Sequence, residues 1–197
     1  MTKTIPEPGA HLPGACPEDA PAREVLLRGR IIEAGLEWVT QPDGRRSRIE
    51  TVRHPGGSIA LPMDARGRVC LLRQYRPVLG AWLWEAPAGK IDPPEPPAAT
   101  ARRELAEEAG VTAEHWTSLG VVVPAPGYCD ERLHLYLARE LRAVPPAPEE
   151  HEYLERHWLP LAEATAMALD GRITDAKTII ALLRVQALLA NDSAAGG

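Results

Sequence analysis

The 197-residue chain carries 25% charged and 45% hydrophobic residues, the balance of an ordinary soluble domain long enough to bury one sizeable core. Its net charge of −5 argues against a nucleic-acid binder, which needs a basic stripe to displace counterions from phosphates. No apolar run approaches the roughly 20 residues that span a bilayer, and Cys16, Cys70 and Cys129 share no metal-ligand spacing, so they read as free thiols of a reducing cytoplasm.

Residues 1–22 are rich in Pro, Ala and Gly and lack the hydrophobic stretch of a signal peptide; they are expected to form a disordered tail. Residues 23–55 hold the strand-like runs VLLRGRIIEAG, LEWVTQ and SRIETVRH around a PDGR turn signal at 42–45, which predicts a small antiparallel β unit. SIALPMD (58–64) and VCLLRQY (69–75) flank Ala65-Arg66-Gly67 and read as a hairpin, with WLWEAP (82–87) as another short strand.

The run PPEPP at 93–97 excludes a helix interior or a central strand. A helix is predicted to start at Pro96 or Pro97, run through AATARRELAEEA and stop at Gly110, which accepts a left-handed C-terminal conformation. Strands follow at 116–123, 132–138 and 153–159, the last two joined by the acidic, proline-bearing VPPAPEEHE (144–152). LAEATAMALDG (161–171) reads as a helix ending at Gly171. Thr174 is the expected N-cap of a final helix, DAKTIIALLRVQALLA, and 191–197 the expected C-terminal tail. Mixed strands and a few helices place 56–190 in one α+β layered domain.

The charges on the helix before Gly110 are oddly placed. Glu104, Glu107 and Glu108 are related by i, i+3 and i+4 and share one face, where like charges cost a few tenths of a kcal/mol per pair. Glu107 and Glu108 also sit in the last turn, where the macrodipole disfavours anions. Either this is a solvated face partly compensated by Arg102 and Arg103, or local stability has been given up for a functional site.

The surrounding residues favour the second reading. From Gly89 the chain runs GKIDPPEPPAATARRELAEEAGV: five residues separate Gly89 from Glu95, and seven more lead to Arg103-Glu104-Leu105-Ala106-Glu107-Glu108-Ala109-Gly110-Val111. This resembles the Nudix box, the loop–helix–loop signature of the Nudix hydrolases. The resemblance implies an α/β/α sandwich with a mixed sheet, preceded by the small antiparallel unit. It also implies Mg²⁺ (or Mn²⁺) held by Glu104, Glu107, Glu108 and the Ala88 carbonyl. Hard oxygen ligands suit such ions. Arg103 would tie down the box carboxylates, and Glu95 would brace the loop.

Outside the box, VRHPGGSIALPMD, LLRQYRP, LWEAPAGKID and GRITDAKTIIALL resemble the ADP-ribose pyrophosphatase branch, as does Pro126, 16 residues after Gly110. That branch implies hydrolysis of ADP-ribose to AMP and ribose 5-phosphate in the cytoplasm, by a homodimer whose exchanged N-terminal unit (23–55) helps form the partner's nucleotide site. Glu50, Arg53, Arg76 and Glu131 fall at substrate-binding positions, and Trp38 or Trp84 offers an aromatic surface or a core residue. A general base comes from the loop before the last strand: Glu152 matches best, with Glu149 and Glu150 as alternatives. GDP-mannose or another nucleoside diphosphate sugar remains an alternative substrate, and a non-catalytic ADP-ribose sensor a remote alternative. The resemblance implies no nucleic-acid or membrane partner.

Overall fold

A computed structural model describes residues 23–147 and 153–195. In chain order these form β1 (Glu24–Arg28), β2 (Glu33–Thr40), β3 (Arg46–Arg53), β4 (Gly57–Pro62), β5 (Arg68–Arg76), β6 (Ala81–Glu85) and β7 (Ala88–Lys90). Helix α1 (Pro97–Glu104) then runs into a π-helical turn (Leu105–Ala109). β8 (Val111–Val122), β9 (Leu133–Ala143), β10 (Leu154–Pro160), α2 (Leu161–Leu169) and α3 (Ala176–Ala195) complete the fold.

Strand β4 is the centre. It is buried along its whole length, as its unbroken SIALP run requires of a strand covered on both faces. It pairs in parallel with β9 and antiparallel with β7, and β8 closes the far side of this mixed sheet in the order β7-β4-β9-β8. A second sheet, β10-β5-β6, is antiparallel throughout. Alternation along the strands divides the core in two. Ile59, Leu61, Val69 and Leu71 pack with Ala164, Met167, Ala181 and Leu182 of α2 and α3. Ala60, Cys70 and Leu72 pack with Ala101 and Leu105 of the α1 region. Helices therefore lie on both sides of the sheets, as the sandwich expectation required. No described helix is long and apolar enough to cross a membrane.

Three local expectations change. The segments 58–64 and 69–75 do not make a hairpin ladder; β4 and β5 enter different sheets, with a single Met63–Val69 bridge beside the turn. The turn itself forms, because the Asp64 carboxylate accepts the N–H groups of Arg66 and Arg68, but that chemistry does not dictate which strands pair. The final helix is capped by Asp175, not Thr174: its Oδ2 accepts the Thr178 N–H at 3.1 Å. That helix also continues through Ala195, into the stretch expected to be a tail.

The N-terminal unit forms as an antiparallel sheet, β1-β2-β3. It is joined to the rest of the chain where Val52 donates to the Tyr128 carbonyl at 2.7 Å and accepts from the Asp130 N–H at 3.2 Å. Val25, Leu26, Leu27, Ile31, Ile32 and Trp38 of this unit remain exposed.

Candidate active site

The site begins with how α1 is started. Pro96 is the N-cap and Pro97 the first helical residue, so the missing proline N–H falls where no intrahelical partner exists. Glu95, just outside the helix, accepts from the Thr100 hydroxyl at 2.8 Å and from Arg103 Nη2 at 3.3 Å. Arg103 Nη1 in turn reaches Glu104 Oε1 at 2.7 Å and Glu107 Oε2 at 3.0 Å. Partial burial works against the guanidinium's charge, but Glu95, Glu104 and Glu107 outweigh it and raise its pKa. Among the described residues, then, the cation between these carboxylates is Arg103.

The helix does not stay α-helical to Gly110. Leu105–Ala109 widens into a π turn, which ends at Gly110 in the left-handed conformation (φ 69°, ψ 33°). Such turns concentrate at functional sites because they re-aim side chains that a regular helix would stack. Here the turn carries Glu107 and Glu108. Glu108 is 1% exposed and its Oε2 accepts the Ala88 N–H at 2.8 Å. Glu104, 8% exposed, lies against Gly89 so closely that a Cβ there would fall 1.8 Å from its Oε1. Gly89 has no Cβ so that this carboxylate can lie on the backbone.

Two carboxylates, with Glu107 beside them and the Ala88–Gly89 backbone beneath, form a hard-oxygen donor set that suits a divalent ion. As the side chains stand, no three His, Cys, Asp or Glu residues among those described converge on one point. Arg103 spans Glu104 and Glu107 instead, and supplies the positive charge there.

Beside this turn lies a cavity of about 370 Å³, lined in part by His54, Arg76, Ala88, Gly89, Glu131 and Lys177. Arg76 is held at its wall by a two-pronged ion pair: Nε and Nη2 each bond Glu85 at 2.7 Å. Lys177 also bonds Glu85, and Asp175 at 2.8 Å. Burial would raise the Glu85 pKa, but Arg76 and Lys177 overcome it and lower it from 4.5 to about 2. The DAKT stretch thus has three tasks. Asp175 caps α3, Lys177 joins the buried ion cluster, and the Thr178 hydroxyl accepts the Ala86 N–H at 2.7 Å, anchoring the loop that leads to Ala88.

Of the substrate-binding candidates, Arg76 and Glu131 face this cavity. Arg53 lines a neighbouring depression with Arg28, Ile31 and Glu33, and is occupied by Glu37 at 2.8 Å and Asp130 at 3.0 Å. Glu50 is exposed on β3 opposite Leu36 and does not line the cavity. Neither Trp38 nor Trp84 lines it; Trp84 packs against the core and meets the His157 ring at 4.8 Å. Glu149, Glu150 and Glu152 lie outside the described residues. Glu85 and Lys177 went unnoticed in the sequence because a lone acid in a strand and a lone lysine in a helix carry no pattern until the fold joins them. Cys70 is no nucleophile: burial pushes its thiol up to about 12.

Comparison with known proteins settles the family. Residues 53–182, from the last residue of β3 into α3, match the NUDIX domain family. The chain belongs to the Nudix family. This Nudix chain is 35% identical over 167 residues to an ADP-ribose pyrophosphatase of Bacillus subtilis, covering 84% of the chain and 90% of the relative. It is 39% identical over 168 residues to an ADP-ribose pyrophosphatase of Mycobacterium tuberculosis, covering 84% and 81%. A GDP-mannose pyrophosphatase of Pectobacterium atrosepticum matches at 37% over 139 residues, 66% of the chain and 72% of that protein. In architecture the chain is similar to a crystal structure of an ADP compounds hydrolase, with a TM-score of 0.76 and 24% identity over 88% of the chain and 94% of that protein. Nudix hydrolases generally act with a divalent metal, which agrees with the donor set on the box turn.

Proposed function

We propose that this Nudix chain hydrolyses the pyrophosphate bond of ADP-ribose, giving AMP and ribose 5-phosphate. The observation that carries the reading is the pair of box carboxylates, Glu104 and Glu108, seated on the Ala88–Gly89 backbone at the edge of a cavity whose wall presents Arg76. Glu104, Glu107, Glu108 and the Ala88 carbonyl would hold Mg²⁺ or Mn²⁺. Such an ion supplies a water of lowered pKa and neutralises charge on the diphosphate. Arg76 is preorganised by Glu85 to receive a phosphate oxygen, Glu131 offers an acceptor to sugar hydroxyls, and Arg103 keeps the box carboxylates ordered. Glu152, or failing it Glu149 or Glu150, is the proposed base for the attacking water.

The test is product analysis on a panel of ADP-ribose, GDP-mannose, ADP-glucose, NADH and diadenosine polyphosphates with Mg²⁺. Metal-dependent release of AMP from ADP-ribose is expected. Glu108→Gln should lower it on the order of 100- to 1,000-fold, the range for losing one preorganised electrostatic contact. Similarity to the GDP-mannose pyrophosphatase supports a second reading, and preferential cleavage of GDP-mannose would install it. Tight ADP-ribose binding without hydrolysis of any panel member would overturn the enzyme.

We further propose a cytoplasmic homodimer in which the N-terminal sheet packs across the partner, bringing Glu50 and Arg53 to its nucleotide. Six large apolar side chains exposed within residues 25–38 support this, since so much apolar surface on one small unit favours burial against a partner. Light scattering should give twice the 21.4 kDa chain mass, and Leu26→Glu should shift it toward one chain. A single-chain mass for the unaltered protein at micromolar concentration would refute the dimer.

A further inference from the structure

The π turn has an outside support that the mechanism above does not use. The last carbonyls of any helix lack intrahelical partners and form its partially negative end. Here two of them are taken up by the chain on either side of 148–152. The Glu107 carbonyl accepts the Ala147 N–H at 3.0 Å, and the Glu108 carbonyl accepts Arg156 Nε, from β10. Glu108 is therefore held at both ends, its carboxylate on the Ala88 N–H and its carbonyl on Arg156. Arg156 sits in the sheet through the pairing of β10 with β5, opposite Leu72, which is fully buried in the core against Ala101 and Leu105. The Arg156 backbone is thus fixed to the sheet, while the turn that its exposed side chain reaches belongs to the helix packed on that sheet.

We infer that Arg156 is a positioning residue for the metal-binding turn, holding the Glu108 backbone so that its carboxylate is presented to the ion. The inference rests on the reading of Glu104, Glu107 and Glu108 as metal ligands. Arg156 touches neither substrate nor metal in this role. Two mechanisms predict opposite signs when it is removed. If Arg156 acted only as a nearby positive charge, its loss would strengthen cation binding. If it positions Glu108, its loss weakens cation binding, because the carboxylate is no longer presented beside Glu104 and Glu107.

The experiment is Mn²⁺ titration of the full-length protein without substrate, following the free-ion signal by electron paramagnetic resonance, with thermal unfolding and steady-state kinetics on ADP-ribose alongside. Arg156→Ala is expected to weaken Mn²⁺ binding about 10-fold or more, the cost typical of losing a group that orients a ligand. The loss should fall on kcat, with KM for ADP-ribose little changed, and Arg156→Lys should recover part of the affinity by donating to the same carbonyl. If Arg156→Ala does not fold, Arg156→Met, which keeps the length of the side chain and removes the donor to the Glu108 carbonyl, carries the same test with the same expected weakening. Unchanged or tighter Mn²⁺ binding in the folded variant, with the unaltered protein binding normally, overturns the positioning role alone. Failure of the unaltered protein to bind Mn²⁺ overturns the metal-site reading and this inference with it.

Discussion

Gly89→Ala is expected to cut metal-dependent turnover by about 100-fold or more, at or beyond the upper end of what orienting groups around a metal contribute. The argument is steric and local. The added methyl would lie 1.8 Å from Glu104 Oε1 and 2.1 Å from its Cδ, far inside any contact distance, while Gly89 itself has no positive φ to forbid alanine. The clashing atoms are the end of a flexible side chain, so the cheapest relief is rotation of Glu104 away from the box. Folding should survive, with a fall in Tm of only a few degrees, about what a 1 kcal/mol loss does at this chain length. Kinetics and thermal unfolding of the same preparation decide the matter. Near-normal turnover would show that Glu104 is not required where it lies, and a collapsed fold would show that Gly89 serves packing and not the carboxylate.

Glu85→Ala should have the largest effect on stability, about 1–3 kcal/mol, because it removes the buried carboxylate that the part-exposed Arg76 and the mostly buried Lys177 share. Glu85 is 1% exposed and answers both Arg76 and Lys177. Lys177 keeps Asp175, but Arg76 loses both bonds that aim it at the cavity. KM for the substrate should therefore rise as stability falls. The same group sets an acid limb. Its pKa drops from 4.5 to about 2 on folding, so its contribution is complete above about pH 4.5 and is lost as pH falls toward 2. A shift of that size corresponds to roughly 3 kcal/mol. Urea unfolding between pH 2 and 7 should show this limb in the unaltered protein and a flattened one in Glu85→Gln. A loss under about 1 kcal/mol for Glu85→Ala at pH 7 would place the cluster with ordinary surface pairs.

The parts of the site legible in the sequence are those written in consecutive residues. Gly89, Glu95, Arg103, Glu104, Glu107, Glu108 and Gly110 stand at fixed spacing, and their types state their chemistry before any fold is known. Proline at the start of α1 and glycine at the end of the turn are local rules of backbone geometry, and both ends fell where those rules put them. The π turn was not legible. Nothing in LAEEA distinguishes it from one more α turn, because what can hold it open is a hydrogen bond from Ala147 and another from Arg156, residues far along the chain. For the same reason the segments 58–64 and 69–75 read as a hairpin. Strand propensity and turn chemistry are local, whereas pairing β4 with β9 is a choice among all strands present.

By itself the sequence determined most of the strands and helices, a small antiparallel N-terminal unit and the chemical identity of the box, because periodicity, capping and fixed spacing act over a few residues; it missed β7 and the first residues of β8, which starts at Val111 and not at 116. Only the tertiary structure decided which strands are neighbours, that Arg76 is aimed by Glu85 and Lys177, that Glu104 lies on Gly89, and that β10 grips the turn bearing Glu108. Each of these joins side chains from separate elements. Their energies depend on burial and on distances of a few ångströms, which exist only once the layers have packed.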